Sequence, residues 1–288
     1  MHAMTFILAA ANPRAAFLVA DRRLSNRTGV TSDRARKLLM LEAMDGGALI
    51  GYAGVGRTSG YMEPSKWMAN VFRGRDASVE NYLRGLGQVT LQQLPKHAQG
   101  VGGVHVAVAA CTVNGKPVIY SLDLSPHPSG GWQVNLIHYW GGQPDMYDGP
   151  VFVAAGSGRF CFERLDLEPL KRLMRAHTQG KVEDFEVMKY LADVNHRVHQ
   201  CTKSVGPKCI VGVQRAEGGG STEIFDGCIR ELPRDTHDHV PAISRGMPVT
   251  DLIEATIPFG MGPLTEAQRE ALSKAVAAIP DYPDERLR

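Results

Sequence analysis

The sequence predicts an α+β fold, and three observations carry that prediction. Apolar strand-like runs crowd the first quarter, return between Val104 and Ala155, and return again from Cys209. Helical periodicity is confined to blocks between those groups, which argues for layered sheets and helices and against a parallel βαβ sheet. None of the first four runs alternates cleanly between apolar and polar residues, so both faces of these strands are expected to be covered.

Thr5 to Ala11 and Ala15 to Asp21 are the first two strands, broken at Asn12-Pro13. Lys37 to Leu41 and Ala48 to Tyr52 form a second pair around Asp45-Gly46-Gly47, a good hairpin turn. Ser78 to Leu94 sets Tyr82, Leu83, Leu86, Val89, Leu91 and Leu94 near one helical stripe. Strands follow at Val104 to Cys111, Pro117 to Leu122 and Trp132 to Trp140, the first two divided by Asn114-Gly115. Val151 to Ala155 leads into Gly156-Ser157-Gly158, then a helix from Arg159 to His177 and a second from Val182 to His199. Cys209 to Gln214 and Thr222 to Phe225 close the pattern around a glycine turn at 218–220. Beyond Gly227 the periodicity fades and Pro233, Pro241, Pro248 and Pro258 punctuate loops. Residues 227–288 therefore read as a C-terminal extension, with a late helix signalled by the capping box Thr265-x-x-Gln268.

Composition excludes several function classes. The chain has 288 residues, 43% hydrophobic and 22% charged, which suits a packed globular domain and not a disordered or fibrous one. A formal net charge of +2 gives no global attraction to nucleic acid or membrane surfaces. The apolar run Phe6 to Ala11 is far too short to span a bilayer and lacks the basic flank of a secretory signal, so a cytoplasmic protein is expected. Five cysteines without a C-x-x-C pair argue against a disulfide framework or a structural zinc. His196 with His199, and His237 with His239 among aspartates, read as a solvated helix end and a polar loop; no metal and no cofactor is expected. Arg22, Arg23, Arg34 and Arg36 form a basic cluster without interleaved aromatics, suited to ion pairs or subunit contacts.

The chemistry is expected from Thr5, Asp21 and Lys37. Thr5 opens the first strand, Asp21 ends the second and Lys37 opens the third, so strand ends meeting at one sheet edge would bring the three together. Asp21 follows Thr5 by sixteen positions and Lys37 follows it by thirty-two.

These two spacings, with Phe17-Leu18-Val19-Ala20-Asp21-Arg22-Arg23 and Ser32-Asp33-Arg34-Ala35-Arg36-Lys37, resemble a β-type proteasome subunit, including the bacterial proteasome-related peptidases, among the N-terminal-nucleophile hydrolases. Ala53-Gly54 resembles the pair whose backbone forms that family's oxyanion hole, allowing a short insertion at the turn before it. Gly156-Ser157-Gly158 and Ser204-Val205-Gly206 are similar to its Gly-Ser-Gly and its later Ser-Gly turn. The resemblance spans residues 5–226 and implies a four-layer αββα sandwich of two antiparallel sheets, a homo-oligomeric ring, a polypeptide substrate and, as an open question, an ATPase partner.

The same resemblance implies roles. Thr5 would be the nucleophile, its own α-amine, with an ordinary pKa of about 7.7–8.0, serving as base once residues 1–4 are removed as a leader or a mis-assigned start. Lys37 would lower that amine's pKa, Asp21 would hold Lys37, and the Gly54 N–H would stabilise the oxyanion, a donor worth about 2.7–4 kcal/mol. Ser157 and Ser204 would support the site, and Tyr52 would either line a substrate pocket or pack in the sheet. The resemblance expects an aspartate where this chain has Cys201, so one hydrogen bond to the threonine amine would be weakened or rerouted. Two alternative readings stay open: a catalytically inactive ring subunit or scaffold, and an amidohydrolase of small amides.

Overall fold

A computed structural model describes residues 5–26, 29–53, 64–98, 106–140, 149–231, 241–256 and 265–277. The first described strands are β1 (Ile7–Asn12) and β2 (Ala15–Asp21), then the short strands β3 (Leu24–Asn26) and β4 (Gly29–Ser32), which form a two-stranded sheet of their own among the described residues. Next come β5 (Leu38–Ala43) and β6 (Gly46–Ala53), and the helices α1 (Pro64–Phe72) and α2 (Val79–Ala98). A meander follows, β7 (Val106–Val113), β8 (Lys116–Pro126) and β9 (Trp132–Trp140), and then β10 (Val151–Ala155). Three helices come after it, α3 (Arg159–Phe162), α4 (Glu168–Thr178) and α5 (Asp184–Cys201). The last part holds β11 (Lys208–Arg215), β12 (Gly220–Asp226), β13 (Ile229–Glu231), β14 (Ile243–Ser244), β15 (Met247–Pro248), α6 (Val249–Thr256) and α7 (Glu266–Ala277).

Two large sheets organise these elements. One has six strands in the order β10-β1-β2-β11-β12-β13; the other has seven, β15-β14-β5-β6-β7-β8-β9. β1 and β2 are buried along their whole length, as their unbroken apolar runs predict. Their alternate residues feed two different cores. Phe6, Leu8, Ala10, Phe17 and Val19 pack with α4 and α5, while Ile7, Ala9, Ala16, Leu18 and Ala20 pack with Met40, Leu49 and Val108 of the other sheet. The far face of the seven-stranded sheet buries Leu39, Ile50 and Tyr52 against Trp67, Met68 and Phe72 of α1 and Tyr82 and Leu86 of α2. Gly51 sits where the sheets press close together: a Cβ there would meet Ile7 and Leu18 side-chain carbons at 3.0–3.1 Å.

The expected four-layer αββα sandwich of two antiparallel sheets is corrected by this topology. The molecule is built on two large sheets with few helices, fifteen strands against seven helices among the described residues, and the larger sheet is mixed because β14 joins β5 in parallel. The reason lies beyond Gly227. β13 extends the six-stranded sheet, and β14 and β15 extend the other. Strands of two or three residues are too short to show any alternation, so the sequence hides them.

Two smaller differences have local causes. The helix expected over Arg159 to His177 is divided into α3 and α4, and Pro169, which has no N–H to donate and is disfavoured inside a helix, sits in the first turn of the second. α1, which the periodicity did not single out, begins at Pro64, a residue suited to a first helical turn, and is anchored by Trp67, Met68 and Phe72.

Candidate active site

Antiparallel register places the first two candidates. Ile7 pairs with Ala20, so Thr5, two residues before β1, arrives beside Asp21 at the end of β2. Lys37 lies one residue before β5, and its carbonyl accepts the Tyr52 N–H of β6 at 3.0 Å, which fixes where the lysine stem starts.

The three side chains meet. The Thr5 hydroxyl donates to Asp21 Oδ1 at 2.7 Å, and Lys37 Nζ donates to Thr5 Oγ1 at 2.6 Å and to Asp21 Oδ1 at 3.0 Å. Exposure is 1% for Thr5, 0% for Asp21 and 3% for Lys37, so their charges interact away from bulk water. Asp21 is held from all sides: Oδ1 also accepts the Phe6 N–H at 2.7 Å, and Oδ2 accepts the Arg23 and Gly206 N–H groups at 3.0 and 3.2 Å. Burial pushes the Lys37 ammonium below the ordinary lysine range, with Asp21 pulling it back up.

A chain of hydroxyls reaches the threonine from the opposite side. The Thr5 N–H donates to Ser157 Oγ at 3.2 Å; Ser157 Oγ lies 3.1 Å from Ser204 Oγ, which lies 2.9 Å from Thr202 Oγ1. Thr202 is a member that sequence reasoning missed. It follows Cys201, the exposed last residue of α5, so hydroxyls, not a carboxylate, connect this end of the helix to Thr5. Gly156 makes the approach possible. Its φ is +83°, and a Cβ there would lie 2.4 Å from the Thr5 carbonyl oxygen. The Gly158 N–H then donates to that same oxygen at 3.1 Å.

The arginines after Asp21 brace the surrounding loops. Arg22 donates from Nη2 to the Arg34 carbonyl at 2.8 Å and from Nε to the Ala35 carbonyl at 3.3 Å, which pins the segment leading into Lys37. Arg23 forms a two-pronged ion pair with Asp33 at 2.6 and 3.0 Å and donates to the Lys203 carbonyl at 2.6 Å. That pairing holds the Asp33 carboxyl below its ordinary range. Arg22 and Arg23 of the basic cluster therefore serve the framework of the site.

Other expected residues fall elsewhere. Gly54 lies outside the described residues, as does the Asp235 to His239 loop. Tyr52 is buried in the core against Trp67, ring centroids 5.6 Å apart, and its buried hydroxyl makes no hydrogen bond among the described residues. His196 meets Gln200 and His199 meets the Val205 carbonyl; no cluster of His, Cys, Asp and Glu suited to a metal occurs among the described residues. A cavity of about 210 Å³ lies along β5, lined by Arg36, Leu38, Met40, Arg73, Thr222 and Asp251, and Thr5 takes no part in its lining. No described helix is long and apolar enough to cross a membrane.

Comparison with known proteins changes the family reading. No family model matches the chain, and no curated protein matches it. Among solved structures it is similar to a Gly-1 mutant of Anbu from Hyphomicrobium sp. strain MC1, at 13% identity and a TM-score of 0.48 over 96% of this chain and 99% of that one. It is also similar to Anbu, an ancestral beta-subunit, from Yersinia bercovieri, at 12% identity and a TM-score of 0.46 over 96% and 98%. Likeness at that level carries no argument about activity. The resemblance to a β-type proteasome subunit or proteasome-related peptidase is therefore corrected: these two neighbours are Anbu chains, and no family membership follows. The physical reason is that the antiparallel pairing of β1 with β2, which sets Ile7 opposite Ala20, brings the chain at Thr5 near Asp21 in any hairpin of this length, so the spacing of these two residues does not by itself mark a family.

Proposed function

We propose that this protein hydrolyses amide bonds through an acyl-enzyme on Thr5. The observation that carries the reading is the buried contact of Thr5 Oγ1 with both Asp21 and Lys37, at 2.7 and 2.6 Å. A threonine hydroxyl needs a base and a stabilising field to act as a nucleophile, and a hydroxyl held between a carboxylate and an ammonium has both close at hand.

In the proposed reaction the peptide bond before Thr5 is cleaved first. The freed α-amine, at the position where the Thr5 nitrogen now meets Ser157 Oγ, takes the hydroxyl proton as Oγ1 attacks the substrate carbonyl. Lys37 lowers that amine's proton affinity by like-charge repulsion and stabilises the developing charge, and Asp21 fixes Lys37. The amine then gives the proton to the leaving nitrogen, and water releases the acyl group as a carboxylic acid. A polypeptide is the substrate class we assign, with small acyl amides as the competing one.

Intact mass and N-terminal sequencing of the purified protein, followed by assays on fluorogenic peptides and on small acyl amides, test the proposal. A chain that begins at Thr5 and turns over peptides supports it. A chain that begins at Thr5 and turns over neither substrate contradicts it.

A further inference from the structure

The helix α5 grips the loop behind Asp21 at two successive carbonyls. Asn195 and His199 lie four residues apart on α5 and so share one face of it. His199 Nδ1 donates to the Val205 carbonyl at 2.7 Å, and Asn195 Nδ2 donates to the Gly206 carbonyl at 3.2 Å. A carbonyl only accepts, so the His199 proton is assigned to Nδ1. The Gly206 N–H belongs to the same peptide group as the Val205 carbonyl, and it donates to Asp21 Oδ2 at 3.2 Å. One peptide group therefore lies between His199 and the carboxylate that meets Thr5 and Lys37. Arg23 Nη1 reaches the Val205 carbonyl too, at 3.3 Å, but His199 makes the shorter contact.

Two further observations set these contacts apart from ordinary packing. Asn195 is fully buried and its Oδ1 makes no hydrogen bond among the described residues, a loss of stability that an apolar side chain would avoid. Its amide is placed for the Gly206 carbonyl and not for the core. Gly206 is also wedged in place: a Cβ there would lie 2.9 Å from Arg23 Cβ and 3.1 Å from Asp33 Oδ1.

We infer that Asn195 and His199 are positioning residues for the site, which hold the Val205–Gly206 peptide so that its N–H fixes Asp21. With Oδ2 taken by Gly206 and Arg23, Oδ1 stays aimed at Thr5 and Lys37. The His199 hydrogen bond polarises the Val205 carbonyl and so strengthens the Gly206 N–H as a donor to the carboxylate. Neither residue touches Thr5 or a substrate; both act through the backbone. The effect on rate rests on the proposed amide hydrolysis, whereas the hold on Gly206 does not.

The test pairs hydrogen exchange of the Gly206 amide, read at single-residue resolution by mass spectrometry on the full chain, with steady-state kinetics on an acyl amide. His199→Phe keeps the ring and removes the donor, while His199→Asn keeps an N–H nitrogen bonded to Cγ, as Nδ1 is. In His199→Phe the Gly206 amide is expected to exchange faster, and kcat to fall about tenfold to a hundredfold with KM unchanged, the pattern of a misaligned site and not of weaker substrate binding. His199→Asn is expected to restore both. If the wild type turns over no amide, the hydrolysis reading fails and the exchange of Gly206 alone decides. A folded His199→Phe whose Gly206 exchanges at the wild-type rate overturns the inference, with or without turnover. So does an active wild type whose kcat the substitution leaves unchanged. Should thermal melting show His199→Phe to be unfolded, His199→Leu takes its place with the same expected outcomes.

Discussion

Lys37 Nζ stands 2.6 Å from the Thr5 hydroxyl oxygen, and both residues are removed from water. Nothing in a core calls for this arrangement. Burying a lysine is costly, and a packing role at the start of β5 would be met more cheaply by an apolar residue. Placement of the ammonium on a hydroxyl therefore points to chemistry at that hydroxyl, and the predictions below follow from it.

Thr5→Ala should abolish amide hydrolysis, because it removes the attacking oxygen while leaving Asp21 and Lys37 in contact at 3.0 Å. Thr5→Ser should retain measurable activity. Loss of the two hydrogen bonds to Oγ1 in the alanine variant should lower stability by about 1–3 kcal/mol. Rates on an acyl amide and a denaturant titration check the two parts separately. Equal rates for wild type and Thr5→Ala would assign the chemistry to another residue.

Asp21→Ala should be far more disruptive. Its carboxylate accepts from the Thr5 hydroxyl, Lys37 and the N–H groups of Phe6, Arg23 and Gly206, and the substitution takes the negative charge from beside the buried lysine. A loss of about 3–5 kcal/mol is expected for removing one partner of such a pair. Asp21→Asn, which keeps the shape and one acceptor oxygen, should unfold at an intermediate denaturant concentration.

Lys37 should give stability an alkaline signature. Burial lowers its folded-state pKa, so the folded protein releases this proton at lower pH than the unfolded chain does. Between the two pKa values the unfolded chain binds more protons, and stability rises with pH across that window, up to the unfolded value near about 10.4. Below the folded pKa both states hold the proton and the contribution is flat. The buried thiols of Cys111 and Cys209, pushed up by desolvation, act with the opposite sign above about 8.5. The comparison that isolates the lysine is wild type against Lys37→Met: the variant's stability should fall more steeply with alkaline pH. Parallel curves would show that Lys37 does not titrate in this window.

Gly156→Ala should displace Thr5. At φ +83° the new methyl is strained, and it would lie 2.4 Å from the Thr5 carbonyl oxygen and 2.6 Å from Thr5 Cγ2, so backbone must move. A cost of about 1–3 kcal/mol is expected, together with a loss of rate larger than that of Gly180→Ala, a second left-handed glycine remote from the site. Equal effects of the two substitutions would remove Gly156 from the account.

The candidate site was more legible than the fold around it. Thr5, Asp21 and Lys37 could be named because each sits at or beside a strand end, and because β1 and β2 are unbroken apolar runs whose register is set by a tight turn at Pro13 and Arg14. Thr202, and the backbone partners of Arg22 and Arg23, were not legible, although an ion-pairing role for the two arginines was, and Arg23 fills it. The carbonyls of Arg34, Ala35 and Lys203, and the Ser204 hydroxyl that Thr202 meets, are contacts that no spacing announces. The sheet order escaped for a similar reason. Ile243 and Ser244 form only two residues of strand, and their parallel pairing with Leu41 and Glu42 bridges two hundred positions. Pattern arguments reach across one hairpin; they do not reach that far.

The central claim is that the Thr5 hydroxyl is the nucleophile. Its most direct test is to treat the purified protein with a β-lactone that acylates activated hydroxyls, and to locate the ester by peptide mapping alongside N-terminal sequencing. The account predicts a chain beginning at Thr5, one acyl group on Thr5, and no labelling of Thr5→Ala. A chain beginning at Thr5 with that hydroxyl unmodified, or with the acyl group on another residue, would contradict it.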